Sequence, residues 1–304
     1  MRENEFLRLV IPYFKQDKAR VIVGPGDDCA VLKHTPGKYM LFAADQVASD
    51  IHYEYNTENL DIVGAKLLKR NISDIAAMGG TPLFAVVTIS ACSSYERLEK
   101  ICRGLAKEAR KWKVSICGGD FSGAPHKNTE TFSLSIIGEV NKKKVCLRSN
   151  AKPGDLLYVT GSFGNSYFSG HHLKFTPRLY EGIFLANGFT KAMMDVSDGL
   201  LLDLQRFCDA SNVSVELDTE KVPWRKGTKD LKSALTDGED HELTFAVNPA
   251  LEKTLLKSWP FPNVKLTKLG VLEKRNRKYI ISDSKTGINL LKKYQPGFEH
   301  KVSS

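Results

Sequence analysis

Apolar positions recur at two periods along this chain, and the alternation between them predicts a mixed α/β protein. Residues 4–14 place Phe6, Leu7, Val10, Ile11 and Phe14 on one helical face. Residues 39–44 read as a short buried strand leading into Asp45. A helical stretch over 60–78 is stopped by Gly79-Gly80 and Pro82. The β-branched, apolar run 83–90 reads as a strand that is apolar throughout. Residues 95–112 predict a helix with Leu98, Ile101, Cys102, Leu105 and Ala109 on one side. A strand over 114–117 ends at Gly118-Gly119-Asp120, and 130–140 reads as a strand pair or one long strand. The turn cluster 150–155, with Pro153 and Gly154 inside it, is the best boundary. Beyond it come strands near 156–160, 213–217, 242–247 and 264–269, and helices near 178–186 and 197–211. The fold class expected is α/β (α+β) in two domains, 1–149 and 150–304.

Composition narrows the setting. At 42% hydrophobic and 26% charged residues the chain is ordinarily globular, and only the tail 300–304 is expected to be disordered. No window approaches the length of apolar residues that a membrane span needs. Glu3, Glu5 and Asp17 interrupt the first twenty residues, which suits neither a secretory signal nor a transit peptide. The six cysteines, Cys29, Cys92, Cys102, Cys117, Cys146 and Cys208, are scattered with no C-x-x-C pair. That pattern implies reduced thiols in the cytoplasm, most of them buried. The net charge of +9 has two readings, a preference for anionic ligands or a lysine-rich surface. The basic residues are not clustered with aromatics, so no nucleic-acid partner is expected; Lys142-Lys143-Lys144 reads as a turn or strand end.

The informative feature is a set of short acidic turns at strand ends and helix starts. They hold Asp27-Asp28, Asp45, Asp74, Asp120, Asp195 with Asp198, and Glu239-Asp240. Any one is an ordinary turn. Together they supply carboxylates with no matching Lys or Arg close by in sequence, a donor set that suits Mg²⁺, Mn²⁺ or Ca²⁺ and not zinc. Gly24, Gly26, Gly118 and Gly119 would let a phosphate approach the backbone. Ser197 either caps the following helix or marks a helix N-terminus that could hold an anion. No G-x-x-x-x-G-K-[ST] loop, protein-kinase motif set, G-x-S-x-G elbow or H-E-x-x-H helix is present. The turn Gly161-Ser-Phe-Gly164 is a weak phosphate signal, and His171-His172 reads as a surface helix end.

These motifs, in order, resemble the thiamine-monophosphate kinase family, within the superfamily of aminoimidazole ribonucleotide synthetase. The matching stretches are GPGDD (24–28), Asp45-x6-His52, NISDIAAMGGTP (71–82), GGD (118–120), Arg148-x3-KPGD, VTGSFGNS (159–166), MDVSDGLLLDL (194–204) and GEDHEL (238–243). The resemblance runs from about Phe6 to Phe298. The resemblance implies a two-domain fold whose N-terminal sheets form a homodimer, with ATP and several Mg²⁺ ions in the cleft between domains. It implies transfer of the ATP γ-phosphoryl group to thiamine monophosphate. Carried over by motif, the metal ligands are Asp28, Ala44 (through its carbonyl), Asp45, Asp74, Asp120, Asp195 and Asp198. ATP contacts are Gly119, Asp120, Arg148 and Ser197, and acceptor contacts are His52, Glu239 and Phe298. No residue is assigned as a catalytic acid, base or nucleophile.

This chain departs from the family pattern in places. The family's Ser-Thr-Asp is Ala43-Ala44-Asp45 here, its GGDTTRGP is GGDFSGAP, and Asp237 stands where a glycine is usual. The stretches 170–177 and 218–238 are short. Two alternatives follow: another ATP-dependent enzyme of the superfamily, or a nucleotide- or thiamine-phosphate-binding dimer with weakened catalysis.

Overall fold

The computed structural model describes residues 3–276, 278–295, 297 and 298. The tail 300–304 and Pro296 lie outside them. The first half comprises α1 (Glu3–Val10), β1 (Val21–Val23), β2 (Ala30–Lys33), β3 (Lys38–Ala48), α2 (Leu60–Ala77), β4 (Thr81–Ala91), α3 (Tyr95–Trp112), β5 (Ser115–Gly123) and β6 (Glu130–Asn141). The second comprises β7 (Leu156–Thr160), α4 (His171–Lys174), α5 (Leu179–Ala186), β8 (Ala192–Val196), α6 (Leu200–Ser211), β9 (Val213–Leu217), α7 (Leu231–Thr236), β10 (Glu242–Val247), α8 (Pro249–Ser258), β11 (Leu266–Lys274), β12 (Ile281–Asp283) and α9 (Leu290–Lys293).

The N-terminal sheet has the order β1-β2-β3-β6-β4-β5, antiparallel except for the β4/β5 pair. Period-2 patterning gives each long strand two faces. On β6, Phe132, Leu134, Ile136 and Val140 are buried against α2 and α3, together with Leu41, Val63, Leu67, Ile72, Ile75, Ile101 and Leu105. The alternate residues form an open face, where Phe42, Phe84 and Val86 are 43%, 48% and 44% exposed. The run 83–90 is thus a two-faced strand, not one buried throughout. β5 also runs on through Gly118-Gly119-Asp120 instead of ending there. A Cβ on Gly119 would lie 1.8 Å from the Val87 carbonyl oxygen, so strand pairing alone demands glycine at this position.

Helices α2 and α3 cross through another such contact. A Cβ on Gly64 would meet the Ile101 carbonyl at 1.9 Å, and one on Gly104 would meet that of Asp61 at 1.9 Å. Gly64→Ala should therefore cost about 1–3 kcal/mol of stability. Urea unfolding checks this, and an unchanged midpoint would show that the helices can part freely.

The second sheet has the order β12-β9-β11-β7-β10-β8, antiparallel except for β12/β9. Its strands β7, β8 and β10 are buried on both faces. On one side α6 packs Leu200, Leu201, Leu204 and Phe207 against Leu157, Val159, Met194 and Val196. On the other, Tyr158, Met193 and Phe245 pack with Leu185, Leu255, Cys146 and Ala77 at the end of α2. This second layer joins the halves and fixes the C-terminal end of β8 beside α2. His171 and His172 lie on α4, but His172 is buried, not at the surface: the short helix is pressed between the domains. Cys29, Cys146 and Cys208 are buried, whereas Cys117 is exposed on edge strand β5.

Candidate active site

Three carboxylates from distant parts of the chain meet where the domains join. Asp28 comes from the β1–β2 loop, Asp74 from the last turns of α2 and Asp195 from the end of β8. One oxygen from each lies within 4.8 Å of the others. Ser73 Oγ donates to Asp195 Oδ2 at 2.8 Å and fixes that carboxylate. Burial, then the neighbouring carboxylates, push the Asp74 and Asp195 carboxyls well above the usual range. Converging oxygen donors that repel one another fit a hard divalent cation such as Mg²⁺.

The expected lack of partner cations is overturned. Arg148 forks onto Asp28, with Nη2 to Oδ1 at 2.6 Å and Nε to Oδ2 at 3.2 Å. Arg70 forks onto Asp45 at 3.0 and 3.1 Å and reaches Glu239 at 3.1 Å. Lys66 Nζ donates to Glu239 Oε2 at 2.5 Å, and Arg206 bonds Asp198 at 2.5 Å and Asp203 at 2.8 Å. These bases are supplied by the packing of α2 and α6 and by the turn at 148–150, not by chain neighbours. Lys66, Arg70 and Asp74 stand four residues apart on α2, a spacing that places them on one helical face. That spacing is legible in the sequence, but which carboxylates Lys66 and Arg70 meet is not.

Two cavities share this junction. The first, about 420 Å³, is lined by Ala44, Asp45, His52, Asp74, Asp195 and Asp198, and also by Gln46 and Ser133. The second, about 320 Å³, is lined by Ile51, His52, Tyr167, Glu239, His241 and Phe298. Arg70, Ser197 and Asp198 border both. His52 accepts from the Ala48 N–H at Nδ1, 3.1 Å, so Nε2 carries its proton. Phe298 is 53% exposed, and its N–H donates to the Asp198 carbonyl at 3.0 Å.

Ser197 is not the helix cap. Asp203 Oδ2 accepts from the Ser197 and Asp198 N–H groups at 3.0 and 2.9 Å, and α6 starts after Gly199. The loop before β10 holds two non-glycine residues in the left-handed region, Glu239 (φ 63°) and His241 (φ 50°). Such strain collects at functional sites. Here it turns the Glu239 carboxylate toward Lys66 and Arg70, while the Glu239 N–H donates to the Ser197 carbonyl at 2.6 Å. His241 is buried against Phe175, ring centroids 4.1 Å apart, and burial holds its imidazole neutral with a pKa of about 3.

Gly119 and Asp120 do not join this group within one chain. They lie on edge strand β5, three strands from β3 and about 14 Å from Asp45 at ~4.8 Å per strand. Asp120 is exposed on the open face, in the same cross-sheet row as Thr88, Ser133 and Gln46.

Residues 26–140 match the family model for AIR synthase related protein, N-terminal domain, and residues 152–283 match its C-terminal domain. The two-sheet fold with its interdomain carboxylate cluster is therefore that of an AIR synthase related protein. The thiamine-monophosphate kinase of Bacillus subtilis (strain 168) is 31% identical, with 92% of this chain and 94% of the relative covered. That of Rhodopirellula baltica is 34% identical, covering 82% and 84%. A solved structure described as AaThiL complexed with AMPPCP and TMP superposes with a TM-score of 0.83 at 22% identity, covering 99% of this chain and 97% of that one. The chain belongs to the thiamine-monophosphate kinase family.

Proposed function

We propose that this site transfers the γ-phosphoryl group of ATP to thiamine monophosphate, giving thiamine diphosphate and ADP. The observation that carries the reading is the shared junction of the two cavities, one walled by the Asp74 and Asp195 carboxylates and the other by Glu239, Tyr167 and Phe298. Mg²⁺ held by Asp28, Asp74 and Asp195, with Asp198 and the Ala44 carbonyl at the rim, would neutralise charge between two phosphates and align them. Arg148 and Ser197 are the candidate ATP contacts on this chain. His52 would donate from Nε2 to the acceptor phosphate, and Glu239 and Phe298 would face its cationic rings.

The acceptor oxygen belongs to a phosphate monoester that is already ionised near neutral pH. No general base is needed, and transfer is direct, without a phosphoenzyme. The task of the chain is to hold two anions in line and keep water out. In an ADP-release assay with Mg²⁺, the product should appear only when thiamine monophosphate is added. Nucleotide binding without acceptor-dependent ADP would instead identify a binding protein.

Phe298→Ala should raise KM for thiamine monophosphate by up to about 30-fold, the loss of a cation–π contact of roughly 0.5–2 kcal/mol. KM for ATP and the melting temperature should hardly change. A melt several degrees lower with both KM values unaltered would reduce Phe298 to a packing residue. The same reading makes the protein a cytoplasmic homodimer, with 1–149 as the ATP, Mg²⁺ and dimerisation domain and 150–304 completing the cleft. The exposed Phe42, Phe84 and Val86 support pairing through the N-terminal sheet. Light scattering that reports a monomer at micromolar concentration would remove the dimer.

A further inference from the structure

Asp45 differs from the other acidic residues of the cleft. Among the described residues the converging cluster is Asp28, Asp74 and Asp195, and Asp45 stands outside it. Arg70 forks onto Asp45, Nε to Oδ2 at 3.1 Å and Nη2 to Oδ1 at 3.0 Å, as Arg148 forks onto Asp28; but Asp28 also shares a carboxylate cluster with Asp74 and Asp195, and Asp45 does not. Its neighbours Ala43 and Ala44 offer no side-chain oxygen to complete a coordination shell. A dication shared among Asp28, Asp74 and Asp195 has three carboxylates to offset Arg148, whereas one on Asp45, within roughly 2.0–2.6 Å of its oxygen, would press against the guanidinium of Arg70 without that cluster around it.

The guanidinium is well anchored. Its side chain is 14% exposed, its Nη1 donates to Glu239 Oε1 at 3.1 Å, and Glu239 is in turn gripped by Lys66. Arginine keeps its charge at any working pH and presents a planar fork suited to carboxylate and phosphate oxygens. Three of its five N–H groups make these bonds, and the side chain borders both cavities. That is where a phosphoryl group passing from one cavity to the other must travel.

We propose that Arg70 is a resident cation that takes the place of a divalent ion at Asp45, and that it binds the phosphate oxygens at the junction of the two cavities. The inference rests on the phosphoryl-transfer reading above. It makes Asp45 an anchor for Arg70 and not a metal ligand, and makes Arg70, which lies just before the matched stretch 71–82, a phosphate-binding residue.

Bound Mn²⁺ can be counted from the electron paramagnetic resonance signal of the free ion, in the presence of the ATP analogue AMPPCP. Asp45→Asn should bind as many ions as the unaltered protein. Arg70→Met should gain one ion, and the double variant Arg70→Met with Asp45→Asn should lose it again. Arg70→Lys should keep the original count but bind thiamine monophosphate about tenfold more weakly by calorimetry, as one phosphate contact of the fork is lost. Loss of an ion in Asp45→Asn, or no gain in Arg70→Met, would overturn the inference and leave the kinase reading intact. If Arg70→Met does not fold, the Asp45→Asn count decides alone. An absence of bound Mn²⁺ in the unaltered protein would overturn the metal reading and this inference together.

Discussion

Asp195→Asn is expected to lower kcat at least about 1000-fold, some 4 kcal/mol of transition-state stabilisation, while making the metal-free protein more stable near pH 8. The two effects share one cause. Asp195 is 3% exposed and converges on Asp28 and Asp74, so its charge is costly to the fold unless a cation offsets it. Burial, and then the nearby Asp28, push its carboxyl up to about 8. A carboxyl whose folded pKa lies above its unfolded value stabilises the fold when protonated. That contribution is complete below about pH 4 and disappears as pH rises through about 8. Without Mg²⁺, the unaltered protein should therefore melt at progressively lower temperature across that window. Mg²⁺ should raise the melt more at pH 8 than at pH 6, since it competes with the proton for the same oxygens. Asparagine keeps an oxygen for the Ser73 hydroxyl and removes the charge, so the variant should show neither the pH slope assigned to this group nor most of the Mg²⁺ response. Melting curves at the two pH values, with and without Mg²⁺, test the account. A variant that keeps more than about a tenth of the activity (a loss under ~1.4 kcal/mol), or responds fully to Mg²⁺, would show that Asp195 is not a ligand.

The parts of the molecule that could be read from sequence are those where one local rule decides the outcome. The helix at 95–112 and the strands 156–160, 213–217 and 242–247 appear with the bounds their periodicity predicts. Short elements such as β1, β2, β12 and α9 span too few residues to show a period, and they form because a neighbouring strand or core offers them a place. Gly118-Gly119 reads as a turn because glycine is common in turns, yet an edge strand demands the same residue for close strand approach. The acidic turns were visible, and the structure brings Asp28, Asp74 and Asp195 together. Their counter-charges were hidden for a physical reason. Arg148 lies 120 residues from Asp28 and Arg70 lies 169 from Glu239, so only tertiary packing pairs them. The capping of α6 shows the same limit: Ser197 has the expected residue type, but the Asp203 carboxylate reaches back and takes the N–H groups first.

Asp120→Asn is expected to lower turnover at least about 100-fold, near 2.7 kcal/mol, although Asp120 touches neither cavity of its own chain. In one chain it stands three strands from Asp45, on the open face of the N-terminal sheet. The acidic cavity reaches that same face through Gln46 and Ser133. A second copy packed on the face by a two-fold axis would place its own Asp120 over the cavity, and the apolar Phe42, Phe84 and Val86 supply the surface for that packing. Each site would then contain Asp195 from one chain and Asp120 from the other. This arrangement makes a quantitative statement about mixtures. Asp120→Asn and Asp195→Asn should each be nearly inactive alone, yet a mixed dimer would have one site in which both residues are intact. Unfolding and refolding an equal mixture should give half mixed dimers and recover about a quarter of the unaltered activity, since isologous pairing distributes the chains at random. If both residues acted within one chain, every site in a mixed dimer would carry one defect and the mixture would stay inactive. Activity of the refolded mixture, measured against each variant refolded alone, separates the two arrangements.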